Sequence, residues 1–339
     1  MRHRPLDSLS GAEAVVSFFL PERQALEGAD PLTLDAERDW RVFGTGVYVW
    51  ILQTFVRLHA AGAPVRLVDR CPSAGMVVVH AAQFDRLLAE VGSRRALTLI
   101  VAQSDRRPEP RADFSIVQNA LGAGRNAFFI PSWSQPGLVP RDAVRGTRVE
   151  NVAYVGAIGE LDPALATPEW TERLRARGLH WDSRTIRFSG NDQIYRELRW
   201  NDYATTDVVV ALRPAASWNA RSKPAAKLQN AWTAGVPAIV SPEAAYRELR
   251  RSRLDYLEVR SAEEALAGIE ALRSDPRLYQ DMVSNGLERA KDFAPEKLVA
   301  RWTDVLWREI PERAGSLTHR LWSMGRRGRE LAARLKNGR

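Results

Sequence analysis

A single cysteine, Cys71, in 339 residues excludes a disulfide framework and a multi-cysteine zinc site. That usage suits a reducing cytoplasm, and the chain is expected there. Apolar runs are all too short to cross a bilayer. The one at 14–20 ends at Pro21 and reads as a first β-strand rather than a signal peptide. Internal repeats and low-complexity segments are absent. No zinc finger or RNA-binding signature occurs, so nucleic acid is not an expected partner. No acidic pair is clustered in a way that demands a metal, and neither a metal nor another cofactor is expected.

What is present is the composition of a globular protein, 45% hydrophobic and 27% charged. The length suits two domains of ordinary size. Short apolar strands alternate with amphipathic helices, the signature of doubly wound α/β domains. In the first half, strands are expected at 14–20, 65–68, 76–80, 97–102, 115–118 and 128–130, with a helix over 47–60. Residues 131–148, rich in proline, glycine and polar side chains, read as the linker. Strands at 151–156, 185–188, 207–212 and 238–240 then precede helices at 263–272, 278–290 and 296–310. The division expected is an N-terminal domain over 1–140, a C-terminal domain over 149–312 and a tail over 313–339.

The net charge of +8 is unevenly placed. From Ala314 onward seven basic residues face only Glu330, so six of the eight net charges lie in the tail. Leu317, Leu321, Met324, Leu331 and Leu335 share one stripe there, as in a basic helix that lies on anionic lipid. A solvated or partner-packed terminal helix fits the pattern equally well.

Residues 221–241, RSKPAAKLQNAWTAGVPAIVS, carry the strongest local signal. Ser222 is a good N-cap, Pro224 suits a first turn, and Gly235 sits where a helix ends in a left-handed residue. Pro237 bars continuation, and the apolar triplet after it reads as a buried strand. Arg213, Arg221, Lys223 and Lys227 gather at this strand-to-helix loop. Cations at a helix start oppose its dipole unless an anion joins them, so the loop suggests a phosphorylated ligand. The competing reading of each is an ordinary solvated surface charge.

This segment resembles the nucleotide-sugar half of GT-B glycosyltransferases, where a basic loop and a helix ending in Gly-x-Pro hold the donor diphosphate. The resemblance extends to 151–156 (NVAYVG) and to Asp292-Phe293, covering roughly the second half of the chain. It implies two Rossmann-like domains facing a cleft, closed by C-terminal helices. Arg213, Arg221, Ser222, Lys223 and Lys227 would then bind the diphosphate, with Asn230, Glu243 and Tyr246 near nucleotide or sugar hydroxyls. Glu243 alternatively satisfies a helix dipole.

In the first half, Gly44, Thr45 and Gly46 open a helix in the manner of the cleft-facing glycine loop of GT-B enzymes, or form an ordinary turn. His80, at the end of an apolar strand, resembles the histidine of retaining members. A neutral imidazole there would accept a hydrogen bond from a sugar hydroxyl or act as a base; a purely structural role is the alternative. The chain also departs from the pattern. Where many retaining members carry a glutamate pair, it holds Ser222 and Asn230, and the loop after Gly156 offers Glu160 and Asp162 in place of a lysine. Retention and inversion are therefore both left open.

The resemblance implies a metal-independent, hexosyltransferase-like enzyme. It would transfer a sugar from a nucleotide sugar to a saccharide or lipid-linked acceptor, in polysaccharide or glycolipid synthesis at the cell surface. The body would be cytoplasmic, with the tail against the inner face of the membrane. Two alternatives stand beside it: a non-catalytic binding or scaffold protein, and a sugar-nucleotide epimerase.

Overall fold

The computed structural model describes residues 15–91, 96–186, 198–218 and 222–315. Arg221 and nearly all of the basic tail, 316–339, lie outside the described residues.

The first domain is a six-stranded parallel sheet in the order β2-β1-β3-β4-β5-β6. Its strands are β1 (Val16–Phe19), β2 (Val65–Val68), β3 (Gly75–His80), β4 (Leu97–Ala102), β5 (Phe114–Val117) and β6 (Ala127–Phe129). The continuous apolar runs follow from burial on both faces. Val16, Phe18, Met76 and Val78 pack on one side, while Phe19, Val77 and Val79 pack on the other. A π-helical turn, Tyr48–Leu52, leads into α1 (Gln53–Ala60) on the first face, and α2 (Phe84–Glu90) covers the second.

The second domain is a five-stranded parallel sheet in the order β11-β10-β9-β7-β8. It comprises β7 (Asn151–Ala157), β8 (His180–Ile186), β9 (Val208–Ala211), β10 (Ala238–Val240) and β11 (Leu257–Glu258). Helices α3 (Pro168–Arg175), α4 (Ala226–Ala234), α5 (Ala244–Leu249), α6 (Ala262–Ser274) and α7 (Pro276–Ala290) flank it. The two-sided pattern recurs: Val208 and Val210 face one core, Val209 and Ala211 the other.

The chain ends its described part with α8 (Pro295–Asp304), a π-helical turn at Val305–Glu309 and α9 (Ile310–Gly315). Chain order puts this stretch with the second domain. Its apolar face nevertheless lies in the first domain's core, where Leu298, Trp302, Val305, Leu306 and Ile310 join Phe18, Trp50 and Phe55.

Both sheets share one topology. From β1 the chain goes to β2 on one side and returns to β3 on the other; from β7 it goes to β8 and returns to β9. The crevices between β1 and β3 and between β7 and β9 are therefore topological switch points, where open parallel sheets receive ligands beyond the strands' carboxyl ends.

Candidate active site

The two switch points face each other across a cleft, and a cavity of about 670 Å³ lies between them. From the first domain come Gly44, Thr45 and Gly46 on the connection from β1, His80 at the end of β3, and Ser104 and Asp105 beyond β4. From the second come Glu160 beyond β7, Arg213 beyond β9, Lys223 on the loop before α4, and Lys227 and Asn230 on α4 itself.

Gly46 opens the helix that runs into the π-turn, and its Cα stands close to His80. An added Cβ would lie 3.5 Å from both His80 Nε2 and Ser104 Oγ. His80 Nδ1 accepts the amide N–H of Ala82 at 3.1 Å, which assigns the proton of a neutral ring to Nε2. The ring is 4% exposed, and Nε2 has no hydrogen-bond partner. Burial, helped by the charge of Arg106 and opposed by Asp105, lowers the pKa to about 4. His80 is thus a neutral N–H donor. That corrects the expectation of an acceptor or base, because the backbone already occupies the lone pair such a role needs.

Arg213 is 3% exposed, yet its Nη1 has no hydrogen-bond partner. Its Nη2 pairs with Glu160 at 2.9 Å and its Nε lies 3.3 Å from Glu243. Lys223 Nζ donates to Glu160 at 2.6 Å and reaches Asp105 of the first domain at 3.2 Å. Lys227 Nζ lies 3.4 Å from Glu160 and 5.6 Å from the ring of Tyr154. Its aliphatic stem crosses the backbone at Gly156, where a Cβ would come within 2.9 Å of Cε. Burial and Arg213 lower the Lys227 pKa to about 8, against the opposing pull of Glu160 and Glu243. Burial pushes Glu160 up, but Lys227, Arg213 and Lys223 together outweigh it and bring the carboxyl to about 2.

Ser222 is not the N-cap of α4. The helix starts at Ala226, with Ala225 as its cap and no side-chain capping bond. Pro224 disfavours helical backbone at the residue before it, so the turn begins beyond the proline. The Ser222 carbonyl instead accepts from Gln118 Nε2 across the cleft. Asn119 Nδ2 likewise donates to the Lys223 carbonyl at 3.2 Å. Asn230 lines the cavity, but its Oδ1 already accepts the amide of Gln135 at 2.9 Å. Glu243 and Tyr246 are 1% and 0% exposed and stand behind Arg213 rather than on the cavity wall. Burial raises the Glu243 pKa, opposed by Arg213 and by the Ser241 hydroxyl, which donates at 2.8 Å.

Two parallel-sheet domains with flanking helices match a known architecture. The chain superposes on sucrose-phosphate synthase from Thermosynechococcus elongatus with a TM-score of 0.55 at 14% identity, covering 88% of this chain and 99% of that one. The fold is GT-B. An α1,3-fucosyltransferase gives a TM-score of 0.50 at 10% identity over 89% and 92% of the two chains. Against TarM the score is 0.47 at 9% identity over 70% of this chain, which spans 56% of TarM's length. No family model and no curated protein matches the sequence.

Within this GT-B frame, sequence reasoning missed Asp105, Gln118 and Asn119, which lie just past β4 and β5. Their place at strand carboxyl ends was the one signal that would have found them. Arg221 lies outside the described residues.

Proposed function

We propose that this protein is a glycosyltransferase that takes a sugar from a nucleoside-diphosphate donor. The observation that carries the reading is the convergence of Arg213, Lys223 and Lys227 at the second switch point, opposite the Nε2–H of His80 at the first. Glycosyl transfer develops oxocarbenium character on the sugar and negative charge on the leaving diphosphate. Fixed cations and the free amides of the first turn of α4 stabilise that charge where it grows. In this reading they do so without a metal. His80 donates to an oxygen of the sugar, and Glu243 acts through Arg213 by holding its guanidinium.

The acceptor enters beside Gly44, Thr45 and Gly46, past the part-exposed rings of Trp40 and Trp200, with Trp50 and Trp133 buried at the same wall. Such aromatic faces suit the apolar face of a sugar ring, which supports a saccharide or lipid-linked saccharide of the cell surface as acceptor. Among the described residues no helix is long and apolar enough to cross a membrane, so membrane contact in this reading falls to the tail. A non-catalytic, ligand-binding role is the second reading, favoured by the occupation of all three cations by Glu160.

The test is thermal stabilisation by a panel of nucleoside diphosphates and nucleotide sugars. A ligand at a hundredfold its Kd adds about 2.7 kcal/mol to stability. One nucleotide series should stabilise the wild type, and Arg213→Ala with Lys223→Ala should abolish that response. A panel without effect removes the donor site. Binding without turnover of any donor, with saccharide acceptors present, selects the non-catalytic reading.

A further inference from the structure

Glu160 is a carboxylate at the centre of a site whose proposed ligand is itself an anion. It holds Lys223 at 2.6 Å, Arg213 at 2.9 Å and Lys227 at 3.4 Å, so every cation at the second switch point is already engaged. Asp105 and Glu243 complete the set, leaving three carboxylates for three cations. A diphosphate entering among these three cations finds each already paired with a carboxylate, while Arg41 and Arg106 also line the cavity. Burying its charge unpaired would be strongly unfavourable.

The mounting of Glu160 is asymmetric. It ends a 3-10 turn, Ile158–Glu160, whose backbone is tied down on the far side: Leu161 is 3% exposed and the Asp162 amide donates to the Leu212 carbonyl at 2.9 Å. The side chain keeps 28% of its surface exposed and lies on the cavity wall. The carboxylate can therefore turn toward solvent while the backbone stays in place. Arg213 cannot do the same, since it is 3% exposed and braced by Glu243.

We propose that Glu160 is a built-in counter-anion that holds the cation cluster together in the empty site and must be displaced for the donor's diphosphate to bind. This rests on the donor-site reading above. The exchange makes the site selective. A diphosphate, with charge on two phosphoryl groups, replaces all three contacts, whereas a single phosphate replaces fewer and competes poorly. The carboxylate also keeps Lys223 and Lys227 from repelling each other and Arg213 when no ligand is present.

The experiment is isothermal titration calorimetry with inorganic pyrophosphate and with inorganic phosphate. It compares the wild type, Glu160→Gln, Glu160→Ala and the Arg213→Ala, Lys223→Ala double variant, with melting curves to confirm folding. Both Glu160 variants should bind pyrophosphate about tenfold or more tightly than the wild type, the scale of removing one close like charge. Their preference for pyrophosphate over phosphate should also shrink. Equal affinities in the wild type and a folded Glu160 variant overturn the counter-anion, and if the double variant still loses binding, the donor site stands without it. Pyrophosphate that binds none of the proteins, or binds the double variant as well as the wild type, overturns both. Because Ala removes the carboxylate without leaving an amide to mimic it, one folded variant of the two is enough to decide.

Discussion

At the scale of single residues, His80 shows how a local bond selects a tautomer. Free in the unfolded chain, its imidazole titrates near pH 6.5; in the fold, burial lowers it to about 4. Between those values the unfolded state binds more protons than the native one, so stability is complete above about 6.5 and is lost as pH falls. The full difference is about 3 kcal/mol, reached below the native pKa. His80→Asn should flatten the pH dependence of stability between about pH 7 and 4, read from urea midpoints. An unchanged slope would mean that the ring is charged or solvated in the fold. The strand-end position of His80 was legible in the sequence. Its tautomer was not, since it depends on the Ala82 amide turning back onto Nδ1.

At the scale of elements, the α4 segment divides neatly. Its C-terminus follows the local rules: Gly235 is left-handed at φ 69° and the Val236 amide returns to the Ala231 carbonyl at 2.9 Å. Gly235→Ala should cost about 1 kcal/mol, because the nearest side chain would be 3.7 Å from the new Cβ and only backbone strain is added. A loss well above that in chemical denaturation would point to a packing role instead. The N-terminus of the same helix was misplaced at Ser222, where contacts from Gln118 and Asn119 in the other domain hold the loop extended. The strand expected at 185–188 runs instead as β8, His180–Ile186, whose polar HWDSRTI lacks an apolar run. An edge strand carries one ladder and open sides, so its sequence is free of the pattern that marks β9.

At the scale of the whole molecule, the two domains are joined by more than the linker. Glu248 of α5 accepts the amides of Ala120 and Leu121 at 2.8 and 3.2 Å, Lys223 pairs with Asp105, and α8 lies in the first core. Trp302 is wholly buried there, 6.4 Å from Phe18 and 6.5 Å from Trp50 between ring centres. Trp302→Ala should therefore destabilise the first domain by about 3–5 kcal/mol, although α6 and α7, which precede it in the chain, flank the second sheet. Hydrogen exchange should show protection lost first in β1 and α1. Loss confined to the second domain's strands would contradict the packing.

The sequence by itself determined the class of the fold and the position of the basic loop. Buried parallel strands need unbroken apolar runs, and a helix stop needs its glycine and proline, so both are written locally. Tertiary structure alone decided which groups the loop meets. Glu160 and Arg213 are 53 positions apart and Lys223 and Asp105 are 118 apart; only the facing of two switch points brings such residues within bonding distance. Charge pairing acts through space, and the spacing of letters along one chain does not encode it.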